Sequence, residues 1–84
     1  MMKEDEICFF IACWFFQNNG ISVRKVISMM GGIIHYKRCL YLLEKWDRLG
    51  FYDYGVTLDL GWFYPDKMPK RYADLIQPER KEDT

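Results

Sequence analysis

The sequence predicts a mainly α domain that carries a small β-hairpin: three helices, a two-stranded hairpin, then a short C-terminal helix. Three observations predict it. Apolar residues recur at helical spacing over 22–30 and again over 34–49. Gly31-Gly32 and Gly50 stand where those two segments should stop. The stretch Phe51–Tyr64 is aromatic and β-branched and is punctuated by Gly55 and Gly61, as two strands and a turn would be. A chain of 84 residues makes one domain, expected over 1–77, with a polar, disordered tail over 78–84.

The first helix is expected over about 4–17. Asp5 can cap its start, and the acids Glu4, Asp5 and Glu6 suit the positive end of a helix dipole. Asn18-Asn19-Gly20 tolerates the left-handed backbone that ends a helix. Ile7, Phe10, Ile11 and Trp14 form one apolar stripe, and Phe9, Cys13 and Phe16 form a second. A helix apolar on both sides is buried on both sides. The surplus stripe of Phe9, Cys13 and Phe16 is therefore the expected surface of a homodimer, with cover by the C-terminal helix and the hairpin as the alternative.

In the second helix Ser22 is a good N-cap, and Val23, Val26, Ile27 and Met30 follow the spacing of one buried face. Gly31 and Gly32 allow a sharp change of direction. In the third, Cys39, Leu42, Leu43, Trp46 and Leu49 share one face. Lys37, Tyr41, Glu44 and Arg48 lie opposite, with Arg38 and Lys45 beside them. Strands are expected at about 51–57 and 61–64, with Asp59-Leu60-Gly61 as the turn and Gly55 as a bulge. Pro65 closes the second strand, and Pro69 opens a helix in which Tyr72, Leu75 and Ile76 pack back.

A chain this short needs large core residues to be stable, and six Phe, six Tyr and three Trp supply them. The net charge of zero hides an asymmetry. Residues 22–48 carry six cations, Arg24, Lys25, Lys37, Arg38, Lys45 and Arg48, against Glu44 and Asp47, a net of +4. Residues 1–6 and 78–84 are acidic, at −2 and −1. Cys8, Cys13 and Cys39 match no zinc spacing and fit reduced thiols in the cytoplasm. The apolar run Ile7–Phe16 is too short to span a membrane and has an acidic flank where a signal peptide wants a basic one.

At this point the chain resembles the winged helix-turn-helix superfamily. Val23-Arg24-Lys25-Val26-Ile27-Ser28-Met29-Met30-Gly31 matches its positioning helix, and His35 through Gly50 matches its recognition helix. Tyr52-Asp53-Tyr54-Gly55-Val56-Thr57-Leu58-Asp59-Leu60-Gly61-Trp62 is similar to the wings of small single-domain proteins of phages and mobile elements. The resemblance covers residues 5–76 and implies a regulator that binds double-stranded DNA.

On that reading Lys37 and Arg38 sit at the end of the helix that reaches base edges, and Tyr41 contacts a base or phosphate. Lys45 and Arg48 continue the cationic face, and Arg24 and Lys25 hold phosphates from the start of the second helix. Between Phe51 and Tyr64 there is no basic residue, while Asp53 and Asp59 are present. That favours the alternative, a module in which the acidic, aromatic wing binds protein. No phosphate loop, dinucleotide fingerprint or metal cluster is present, so no enzyme activity, cofactor or metal is expected. His35 and Cys39, four apart, are two ligands where a zinc site needs four.

Overall fold

The structure, a computed structural model, describes residues 2–77. The expected tail over 78–84 lies outside them. Helices α1 (Glu4–Gln17), α2 (Val23–Met29) and α3 (Tyr36–Arg48) are followed by strands β1 (Tyr52–Tyr54) and β2 (Gly61–Phe63). A 3-10 turn (Pro65–Lys67) then leads to helix α4 (Lys70–Ile76). The domain is mainly α with one antiparallel hairpin, in the expected order. No helix of the described residues is long and apolar enough to cross a membrane.

Local chemistry accounts for most of the boundaries. The Ser22 hydroxyl accepts the Lys25 N–H at 3.2 Å and starts α2. His35 starts α3 two residues later than expected, because its Nδ1 accepts the Lys37 N–H at 3.1 Å. His35 is therefore an exposed cap. Gly50, at φ 92°, lets the chain turn back so that the N–H groups of Gly50 and Phe51 both reach the Trp46 carbonyl. Gly31 and Gly32 do no such work: neither has a positive φ, and the turn after α2 is built with ordinary backbone.

The centre of the core is an aromatic cluster assembled from α1, α3, the hairpin and α4, with the aliphatic residues of α2 packed in the same core. Phe10 of α1 packs against Trp46 of α3, Phe51, Phe63 of β2 and Tyr72 of α4, with ring centroids 5.2–6.1 Å apart. Phe9 stacks on Trp46 at 5.6 Å. The buried stripe of α1 is thus Glu6, Phe9, Phe10 and Cys13. This corrects the expected division of that helix. Phe9 and Cys13 have no exposed surface and cannot present a dimer face, and Phe16 is only partly buried against the core. Ile11, expected inside, faces out with Cys8 and Phe15. Asp5 does not cap α1; Lys3 holds that position without a side-chain bond. Leu49, expected in the core, is exposed.

The hairpin is shorter than expected. Its register pairs Tyr52 with Phe63, Asp53 with Trp62 and Tyr54 with Gly61. Residues 55–60 leave the ladder as a loop instead of forming a bulge, and the turn bond runs from Leu60 N–H to the Thr57 carbonyl at 3.0 Å. The Tyr52 ring crosses beneath Gly61 to donate its hydroxyl to the Leu58 carbonyl at 2.6 Å. A Cβ at residue 61 would collide with that ring and with the Asp53 carbonyl. Gln17 at the end of α1 donates to the Gly61 carbonyl at 2.6 Å and fixes the hairpin on the helices.

Candidate nucleic-acid interface

The exposed side of α3 carries Tyr36, Lys37, Tyr41, Glu44 and Arg48, with Leu40 half-buried among them. The opposite side, Cys39, Leu42, Leu43 and Trp46, is buried. Amphipathic spacing alone separates the two faces, and the structure and the periodicity agree at every position but Leu49, which is exposed.

Tertiary ion pairs redistribute the cations. Arg38 grips Asp5 of α1 through Nε at 2.8 Å and Nη2 at 3.1 Å. These bonds hold the Asp5 carboxyl below its usual range and raise the Arg38 guanidinium. Lys45 donates to Glu6 at 3.0 Å. Arg24 reaches 35 residues along the chain to Asp59, with bonds of 3.0 and 3.2 Å, and touches the Thr57 hydroxyl at 3.3 Å. That contact ties the hairpin loop to the start of α2 and lowers the Asp59 carboxyl. Arg48 meets Glu44 only at 4.0 Å, with both side chains mostly exposed. Among the described residues Lys25 and Lys37 have no ion pair.

Of the seven expected contact residues, the fold therefore leaves Lys25, Lys37, Tyr41 and Arg48 open on the surface. Arg24 is exposed but held. Arg38 and Lys45 are turned into supports of α1, a correction to their expected place on an open cationic face. The positive interval 22–48 is largely answered by Asp5, Glu6 and Asp59, all from outside it.

Glu6 is the polar group that sequence reading missed. Its carboxylate is buried and accepts the Tyr72 hydroxyl at 2.6 Å, Trp46 Nε1 at 3.1 Å and Lys45 Nζ. Burial works to raise its pKa, but the three donors together outweigh burial and lower it. Tyr72 is pushed up to about 12 by burial and by the carboxylate beside it. The only sequence signal was position: Glu6 stands three before Phe9 and four before Phe10, on the face that proves to be buried.

A shallow groove of about 350 Å³ runs between α3 and the hairpin loop, lined by Lys37, Leu40, Tyr41, Glu44 and Leu58. Cys13 and Cys39 are buried with their thiols raised by burial, and Cys8 is exposed. Among the described residues no group of three or more His, Cys, Asp or Glu is placed to hold a metal ion. No family model, curated protein or solved structure matches this chain.

Proposed function

We propose that this chain is a winged helix-turn-helix protein that binds double-stranded DNA, a small transcriptional regulator of the phage or mobile-element type. In this reading α2 positions, α3 enters the major groove, and the hairpin loop is the wing. One observation carries it: Tyr36, Lys37 and Tyr41 stand exposed in the first two turns of α3, and Lys37 has no acid partner among the described residues. Lys25 and Arg48 supply further phosphate contacts. The loose Arg48–Glu44 pair is of the surface kind that contributes little and yields readily to phosphate.

The test is a titration against duplex DNA over a range of salt. With Lys25, Lys37 and Arg48 as the phosphate contacts, log affinity falls with log salt at a slope of about −3 per protomer, taking −0.9 for each contact. A slope of about −5 would require Arg38 and Lys45 to leave their carboxylates. Glu44→Gln strengthens binding, because it removes a like charge facing the phosphates.

A second reading has its own observation. Val56, Leu60 and Trp62 are exposed on the hairpin, and Arg24, Arg38 and Lys45 are already answered by acids. Both features suit a module whose acidic, aromatic wing contacts protein. Absence of salt-dependent duplex binding at low ionic strength decides for this second reading.

A further inference from the structure

The open groove of α3 is complementary to itself. Lys37, Leu40, Tyr41 and Glu44 follow the i, i+3, i+4, i+7 spacing that normally marks a buried stripe, yet here it lies on the outside. The stripe has a cation at one end, an anion at the other, and two apolar side chains between them. Its ends are about 10 Å apart along the helix. Tyr41 stands out from it with 49% of its surface exposed, and the floor beside it is Leu40 and Leu58.

We infer that this groove receives a second copy of the chain, with α3 antiparallel to its counterpart about a two-fold axis between Leu40 and Tyr41. That axis sets Lys37 of one protomer against Glu44 of the other, and the reverse. It sets each Tyr41 beside the partner copy's Leu40 and Leu58. An isologous interface demands that one surface complement itself, and this surface does so in charge, with apolar side chains facing apolar ones between the two ion pairs. Lys37 has no ion pair among the described residues, and the contact of Glu44 with Arg48 is loose at 4.0 Å, so both are available across the axis. The outer face of α1, Cys8, Ile11 and Phe15, offers no such pairing, because no charged residue lies between Glu6 and Arg24. The inference does not depend on DNA binding. It uses the same face of α3, so dimer and DNA complex exclude each other, and the dimer is a stored form of the binding surface.

Sedimentation without DNA tests it. The wild-type chain passes from 10.2 kDa to twice that mass as concentration rises through the micromolar range. Glu44→Lys and Lys37→Glu each juxtapose like charges and weaken the dimer by about a hundredfold. Mixing those two variants restores a dimer containing one of each, and the double exchange Lys37→Glu/Glu44→Lys restores it within one chain. Both side chains are exposed, so the variants keep the fold, which circular dichroism checks. A wild type monomeric throughout, or single variants that dimerise as wild type does, overturns the inference. So does a dimer abolished by Phe15→Asp but not by the charge changes, which would move the interface to α1. Duplex DNA added to the wild-type dimer dissociates it. A chain that dimerises but ignores DNA removes the functional reading and leaves the dimer standing.

Discussion

Arg38 of α3 holds Asp5 of α1 by two parallel hydrogen bonds, Nε to Oδ2 at 2.8 Å and Nη2 to Oδ1 at 3.1 Å. A residue placed to read a base is instead a brace between helices. Arg38→Ala is expected to destabilise the fold by up to about 1 kcal/mol, because the pair is partly exposed and screened by solvent. It should leave DNA affinity unchanged. Lys37→Ala should do the opposite, weakening binding with little effect on stability. Urea melts and duplex titrations of the two variants, run side by side, check both halves.

Glu6 has a more demanding position. Glu6→Ala leaves the Trp46 N–H and the Tyr72 hydroxyl buried without an acceptor, while Lys45 can turn to water. A loss of about 3 kcal/mol is expected in denaturant melts. The pH dependence has a definite sign. The carboxyls of Glu6 and Asp5 are both lowered in the folded state, so their contribution is present above the ordinary carboxyl range and is lost as pH falls through their folded values.

At the alkaline end Tyr72 is the first of two buried tyrosines to act, ahead of Tyr52. The Tyr72 pKa is raised from 10.0 to about 12, so its contribution is complete below 10 and disappears as pH rises toward 12. Absorbance titration of the tyrosines should show two delayed ionisations in the wild type, those of Tyr72 and of Tyr52, whose hydroxyl burial pushes higher still, and Tyr72→Phe should remove the earlier of the two.

Gly61→Ala should disrupt the hairpin, since the added methyl meets the Tyr52 ring and the Asp53 carbonyl. A cost of about 3 kcal/mol is expected from the overpacking. Gly55→Ala, where nothing lies within 4 Å, is the control and should change stability little. Thermal melts distinguish them.

Phe10→Ala removes the ring that touches four others and should cost about 3–5 kcal/mol. Phe15→Ala, exposed on the same helix, should cost less than about 0.5 kcal/mol. Phe9→Glu should unfold the chain instead of yielding a folded monomer, because Phe9 stacks on Trp46 inside the core.

What could be read from the sequence follows the range of the forces involved. The extent of α1, the Ser22 cap, the buried face of α3 and the Gly50 stop depend on neighbours within a few positions, and each was legible. The face of α1 was not. Nearly every side chain from Ile7 to Phe16 is apolar, so periodicity could not distinguish inside from outside. Glu6, a residue that would ordinarily mark solvent, is buried. The ion pairs were illegible for a different reason. Arg24–Asp59, Arg38–Asp5 and Lys45–Glu6 join residues 33 to 39 positions apart, and no local pattern connects them. Charge counted along the chain overstated the open positive surface, because acids from the first helix and the hairpin fold back onto it.

The bond from Tyr72 to Glu6 also bears on how the chain is made. Glu6 is synthesised before its closest donor, Tyr72, which follows 66 positions later. Until α4 arrives, the first helix carries a carboxylate on the face it must bury. Closing the aromatic cluster around that charge without the hydroxyl is unfavourable. Nascent chains halted before Tyr72 should therefore remain open to protease, and the aromatic cluster should close only when α4 has emerged.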